Sequence, residues 1–333
     1  MASLTSFGND LYTGARSVNF VGRRRIWYLI STILVLVSIV GPVVRGGFNF
    51  GIEFTGGSEF VVSGVPGGDQ AIATSAVSSV VPDVAAKVST LGTDSVRVQT
   101  SQLTDVQTRE IRQQLAADYK VTPEQVTASF IGATWGQDIT SQAIRGLVVF
   151  LILAAIVMAL YFRTWKMSLV AIVALLHDVI ITAGIYGITG FEVTPGAVIG
   201  LLTILGYSLY DTVVVFDKIR ENTLGNGADQ SKTFGQQVNL AINQTLVRSI
   251  NTSVVAALPV ASILFIGAFV LGAGTLRDIS LALLIGIAVG TYSTLFLAAP
   301  MYAQLRQREP AISKHDKKVL AEQARAQQGA VTA

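Results

Sequence analysis

The stretch TPGAVIGLLTILGYSLYDTVVVFDKIREN, residues 194–222, decides the fold class. Between Gly196 and Phe216 it carries one charged side chain, Asp211, and a run of about 20 apolar residues in helix is what crosses a hydrocarbon core about 30 Å thick. Five further runs of this kind flank it, at about residues 26–44, 143–162, 167–188, 248–271 and 279–302. The whole chain of 333 residues is 51% hydrophobic and only 14% charged, against about 25% charged in a soluble domain. The expected fold class is a polytopic α-helical membrane protein with six transmembrane helices. Between the first and second helices lies a small α+β extracytoplasmic domain.

Composition also excludes chemistry. Cysteine is absent, so disulfides, zinc-thiolate sites, iron-sulfur clusters and cysteine nucleophiles are out. Histidine occurs only at 177 and 315, too few for a histidine-rich metal site. A net charge of +3 is small for a nucleic-acid partner. Residues 225–233, GNGADQSKT, superficially resemble a phosphate-binding loop, but Ser231 stands where glycine should precede Lys232 and no buried strand leads in. With no nucleotide site, no metal and no nucleophile-base set, an enzyme is not expected and no cofactor is needed. Energy must come from a partner or an ion gradient.

Arg23, Arg24 and Arg25 precede the first run as in a signal peptide, yet the run ends in Gly41, Pro42, Val43, Val44 and Arg45 without a small-x-small cleavage site, so an uncleaved anchor is expected. Lys and Arg in short loops mark the cytoplasmic face. Arg23 to Arg25, Arg163, Lys166, Lys218, Arg220, Lys232, Arg248, Arg306 and Arg308 all fall on one side, so both termini are expected on the cytoplasmic side. The opposite side has only Arg45, Arg145 and Arg277 near a span. The resulting division is a basic leader over 1–25, a first helix over 26–44, the extracytoplasmic domain over 45–142 and a five-helix bundle over 143–304. The bundle contains a cytoplasmic loop at about 218–246, and a solvated or lipid-facing tail occupies 305–333.

Residues 48–140 contain ten acidic and five basic side chains, so the domain is acidic. Strands are predicted at 58–65, 95–103 and 125–131 and helices at 69–79 and 105–119, the second with Thr104 as N-cap. That order suggests a ferredoxin-like unit with one strand unplaced. The tract Phe50-Gly-Ile-Glu-Phe-Thr-Gly-Gly57 is too rich in glycine for a plain strand and reads as a turn or a close backbone contact. It is no phosphate loop, since no Lys follows and no helix is expected to open there.

Ionisable groups at membrane depth are costly, about 2.5 to 3.5 kcal/mol each on insertion scales, and so are functional candidates. Asp211 leads them. Tyr207 and Ser208 precede it by four and three residues and share its helix face. A carboxyl group there either alternates between protonated and ionised forms, as a proton carrier does, or is a structural partner to a fixed cation. The candidate cation is Arg248, with Asn251 and Thr252 on its face; alternatively Arg248 snorkels to the interface. His177 and Asp178 in the third span form either a relay or a helix-packing hydrogen bond. Small residues Gly200, Gly206, Gly267, Gly272, Gly286 and Gly290 permit close helix packing.

The runs FGIEFTGG (50–57), ALLHDVIIT (174–182) and residues 194–222 are similar to those of the SecF family of the bacterial protein-export machinery, and the similarity extends over nearly the whole chain. Glu53 stands where many members carry Asp, and the short domain with GYSLYDT favours SecF over SecD. The resemblance implies the resistance-nodulation-division superfamily and a pairing of six SecF helices with six of SecD. It further implies work beside the SecYEG channel after the SecA ATPase, with YajC and a YidC-type insertase as possible neighbours and a preprotein as substrate. It implies that the proton gradient drives late translocation and that Asp211 and Arg248 take part in proton passage. Two alternatives stay open: a non-enzymatic scaffold for the translocon or insertase, and a proton-coupled efflux transporter, which the small domain disfavours.

Overall fold

The computed structural model describes residues 4–162, 164–224, 229–267 and 274–331. Arg163, the glycine-rich tract 225–228, Gly272 and the end of the fifth predicted run lie outside the described residues. Among the described residues six helices are long and apolar enough to cross a membrane: α2 (Arg24–Arg45), α6 (Ala133–Phe162), α7 (Trp165–Thr189), α8 (Pro195–Thr223), α9 (Phe234–Phe265) and a long final one. The last runs as α10 (Gly274–Tyr292) through a π-helical stretch, Ser293–Ala298, into α11 (Ala299–Gln307). The chain is a multi-pass membrane protein.

Helices continue beyond the apolar runs that announced them, because backbone hydrogen bonding does not stop where hydropathy does. Thus α6 opens at Ala133, not at 143, and α9 opens at Phe234, not at 248. The start of α9 is set by a capping box, in which Thr233 accepts from the Gln236 amide and the Gln236 side chain accepts from the Thr233 amide. The expected loop over 218–246 therefore shrinks to the residues between Thr223 and Phe234.

Close packing at the centre rests on glycine at particular positions. A Cβ at Gly200 would lie 2.8 Å from that of Ala282, one at Gly286 2.5 Å from Ile204 Cγ1, and one at Gly290 3.0 Å from Ser208, so α8 and α10 approach where no larger residue fits. Gly206, expected to do the same, faces open space.

Segments near both ends of the chain dock on α9, where the sequence suggests a basic leader and a solvated or lipid-facing tail. In α1 (Leu4–Thr13) Leu11 is buried, as are Phe20 and Val21 beyond it. Asn239 and Asn243 hold the intervening backbone: Asn239 accepts from the Phe20 amide at 2.8 Å and Asn243 from that of Val18 at 2.7 Å. In α12 (Pro310–Val331) Val319 is buried and Asp316 accepts from the Phe234 amide at 2.8 Å, which places a carboxylate at the N-terminus of a long helix.

The insert between α2 and α6 is an α+β unit. Its strands are β2 (Gly57–Ser63), β3 (Lys87–Leu91), β4 (Ser95–Thr100) and β5 (Val126–Ile131), all antiparallel in the order β3-β4-β2-β5. Helices α4 (Gln70–Val80) and α5 (Asp105–Asp118) cover one face, and Phe60, Val62, Val96, Val98, Ile111 and Leu115 are buried between the layers. The strand missing from the sequence reading is β3, a short strand whose side chains are all half-buried or exposed. Thr104 does cap α5, in a capping box with Gln107.

Before this unit, β1 (Asn49–Phe50) pairs in parallel with β6 (Glu192–Val193), the link between α7 and α8. The glycine tract follows as a single helical turn, α3 (Ile52–Thr55), so a helix does open there, contrary to expectation. The turn ends at Gly56, whose φ of +74° L side chains rarely adopt. The close contact expected of the tract is present: at Gly57, φ is +150° and a Cβ would lie 2.4 Å from the Thr100 carbonyl oxygen.

Candidate functional site

Four residues of α8 at helical spacing, Tyr207, Ser208, Asp211 and Thr212, meet hydroxyls and carboxylates from the helices around them. Asp211 is 5% exposed, and its Oδ1 accepts from Ser249 Oγ at 2.8 Å. Its Oδ2 is buried without a hydrogen-bond partner among the described residues. Next to it, Thr212 shares a 2.9 Å hydrogen bond with Thr294 in the π-helical stretch. Tyr207 donates to Ser253 at 3.3 Å, and Ser253 shares a hydrogen bond of 2.5 Å with Thr291.

The predicted pair on α7 belongs to the same layer. Ser208 donates to Asp178 Oδ2 at 2.6 Å, and His177 Nδ1 lies 3.3 Å from Asp178 Oδ1. The imidazole of His177 stacks on Tyr292 with ring centres 6.2 Å apart, and its Nε2 is buried without a partner among the described residues. Tyr292 in turn shares a 3.1 Å hydrogen bond with Ser31 of α2. A band of polar groups thus crosses the bundle from α2 through α10 and α7 to α8 and α9. Buried polar atoms are normally paired, and Asp211 Oδ2 and His177 Nε2 are two within this band that have no partner among the described residues.

The arrangement differs from the sequence expectation in phase. Arg248 lies level with Asp211, since Ser249 touches the carboxylate, but its side chain is exposed. It donates to the Tyr210 hydroxyl at 3.4 Å and makes no ion pair with Asp211 among the described residues. Asn251 is exposed, and the Thr252 hydroxyl returns to the Arg248 carbonyl of its own helix. The inward face of α9 is instead Ser249 and Ser253, four residues apart. Their four-residue spacing is the signal in the sequence that marks this face. Tyr207 and Ser208, expected beside Asp211, bond to Ser253 and Asp178 instead.

A second cluster, absent from the sequence reading, lies where the α+β unit meets the bundle. Glu192 of β6 accepts from Gln99 Nε2 at 2.8 Å and from Arg97, both on β4. Glu59, opposite Gln99 in the sheet, accepts from the same amide at 3.0 Å and stands 3.9 Å from Arg97 Nη1. Asp278, at the start of α10, is paired with Arg277 at 3.1 Å and accepts from the N-cap residue of α8, Thr194, at 2.9 Å. Burial raises the Glu53 carboxyl above its ordinary value, and the nearby charges of Glu192 and Glu59 add to the effect. These charges are scattered through the sequence at positions that look like solvated surface.

A helical bundle with a buried polar band and a small α+β unit sewn to one end is the architecture of a membrane transport or translocation subunit. Residues 111–308 match the C-terminal domain of the SecD/SecF protein-export membrane proteins, and residues 45–64, which include the glycine tract, match the SecD/SecF GG motif. The SecF translocase subunit of Streptomyces coelicolor is 45% identical over 97% of this chain and 86% of its own length. That of Mycobacterium tuberculosis (strain H37Rv) is 42% identical over 95% and 73%. The crystal structure of SecDF from Thermus thermophilus, described as a translocon-associated membrane protein, superposes with a TM-score of 0.75 at 29% identity over 88% of this chain. The match spans 39% of that longer SecDF chain. The chain belongs to the SecF family of protein translocase subunits.

Proposed function

We propose that this chain acts with a SecD partner in the bacterial cytoplasmic membrane to draw preproteins outward late in their passage through SecYEG, driven by proton influx. On this reading SecA has delivered the chain into the channel, and YajC and a YidC-type insertase are neighbours. Both termini are cytoplasmic, and the ferredoxin-like unit stands on the outer face. The chain performs no catalysis and needs no cofactor beyond the gradient.

The observation that carries the proposal is Asp211: a carboxylate inside the bundle with one oxygen fixed by Ser249 and the other without a partner among the described residues. A proton arriving on Oδ2 neutralises the group. Its attraction for the Arg248 charge, one residue from Ser249 on α9, then falls, and the packing of α8 against α9 shifts. Arg248 acts here through space and not as a bonded counter-ion. His177 and Asp178, joined to α8 through Ser208, supply a second place for a proton within the same layer. One charge crossing 100 mV releases about 2.3 kcal/mol, enough to bias a two-state packing.

The test is preprotein export into sealed vesicles containing the partner subunit, with a proton gradient imposed or collapsed. The gradient should speed late export for the parent chain and give no gain for Asp211→Asn in an intact complex. If Asp211→Asn responds to the gradient as the parent does, Asp211 is structural and a scaffold role replaces the proposal.

A further inference from the structure

We propose that Arg97 is a positioning residue that ties the α+β unit to the membrane bundle through Glu192, so that movement between α7 and α8 is conveyed to the unit. Its use in translocation rests on the proton-driven reading above; the tie itself does not.

The placement of Glu192 is the starting point. It lies in the short link between α7 and α8, the helices that carry Asp178 and Asp211, so any sliding of one against the other moves it. Its side chain is only 5% exposed, and both oxygens are engaged by the α+β unit, Oε1 by Gln99 and Oε2 by Arg97. Arg97 and Gln99 are two residues apart on β4 and therefore share one face of the sheet, while Val96 and Val98 point into the unit's core. A shift of Glu192 thus pulls on a strand rigidly embedded in the unit.

Backbone contacts also join the unit to the bundle: β1 pairs with β6 over two residues, the Gly51 amide donates to the Val193 carbonyl at 3.0 Å, Asn49 donates to the Gly190 carbonyl at 3.0 Å, and β5 runs through Gly132 into α6, against which α3 packs. The largely buried Arg97 guanidinium engaged with Glu192 adds resistance to turning about these contacts, because turning would strand two charges. Glu59 offers the alternative. It belongs to the unit itself and stands 3.9 Å from the other guanidinium nitrogen, beside a cavity of about 260 Å³ lined by Glu53, Glu59, Arg97, Thr194 and Asp278. When Glu192 withdraws, Arg97 has a carboxylate within its own sheet to take its place, and the unit is released to turn.

The chain has no cysteine, so two nitroxide labels can be placed on it alone, at Glu110→Cys on α5 and Ile199→Cys on α8, before the unlabelled partner subunit is added. Their distance distribution is measured by pulsed electron resonance in the full chain with its partner subunit in lipid nanodiscs, without a gradient. The parent should give one narrow distribution, Arg97→Ala one at least twice as wide, and the exchange Arg97→Glu with Glu192→Arg should narrow it again. Should Arg97→Ala disturb the sheet, Glu192→Gln, which leaves the unit's own residues unaltered, must broaden the distribution equally. An unchanged width in Glu192→Gln, or failure of the exchange to restore it, overturns the proposal. In the vesicle assay Glu192→Gln should lose the gradient-driven gain. If Asp211→Asn retains that gain while Glu192→Gln still broadens the distribution, the proton-driven reading fails and the tie stands.

Discussion

Replacing Gly286 by alanine adds one methyl group where α10 presses on α8. The Cβ would lie 2.5 and 2.6 Å from the two γ carbons of Ile204 and 3.0 Å from its Cβ, whereas carbon atoms settle at about 3.5 to 4.0 Å. Ile204 cannot swing aside, because a β-branched side chain on a helix has essentially one rotamer. The helices must therefore separate by about 1 Å, and overpacking of this kind costs about 1 to 3 kcal/mol. Alanine also gains about 1 kcal/mol in helix propensity over glycine, which obscures a single measurement. Gly206→Ala on α8 carries the same gain and meets no atom within 4 Å. The comparison of the two variants cancels propensity and leaves packing. Thermal unfolding of the purified chain in detergent should place the Gly286→Ala midpoint roughly 2 to 12 °C below that of Gly206→Ala, at about 2 to 4 °C per kcal/mol. Equal midpoints would refute the assignment of Gly286 to the helix contact.

Two further outcomes are expected in the α+β unit. Glu53 is raised above its ordinary value near 4.5, chiefly by burial, with Glu192 and Glu59 adding repulsion and Arg97 opposing it. A carboxyl raised in the folded state penalises the fold as pH climbs from that ordinary value through the folded one, so the junction should loosen over that interval. Hydrogen exchange of β2 and β4 should show this pH dependence in the parent and a flatter profile in Glu53→Gln; identical profiles would remove Glu53 as its source. Thr104→Ala breaks the capping box of α5 and should destabilise the unit by about 1 kcal/mol, read as roughly fivefold faster exchange of α5 amides. Unaltered exchange there would show that the cap contributes nothing.

The six spans were legible because a continuous apolar run has one meaning at that length, whatever surrounds it. The helix of the unit beginning after Thr104 was legible for a local reason too, since a capping box is written in four adjacent residues. Asp211 stood out because one charge in an apolar run is conspicuous. Helix phase was a different matter. On α9, Ile250, Val254, Val255 and Leu258 are exposed and Ser249 and Ser253 are buried, the reverse of a soluble amphipathic helix. In a span, apolar character no longer says which side faces the interior, so the sequence leaves Arg248 open between a partner for Asp211 and a snorkelling anchor, and the structure turns it and Asn251 outward.

The chain alone therefore determined the class of protein, the number of spans, the insertion of an α+β unit and two of the buried carboxylates, Asp178 and Asp211. Each of these depends on composition or on neighbours within a helical turn or two. Tertiary structure decided that Ser249 and not Arg248 bonds Asp211, that both chain ends dock on α9, and that Arg97, Gln99 and Glu192 meet across the junction. Those contacts join residues roughly 40 to more than 200 positions apart. Whether such side chains meet depends on the rotation and offset of packed elements, which no local pattern of residues encodes.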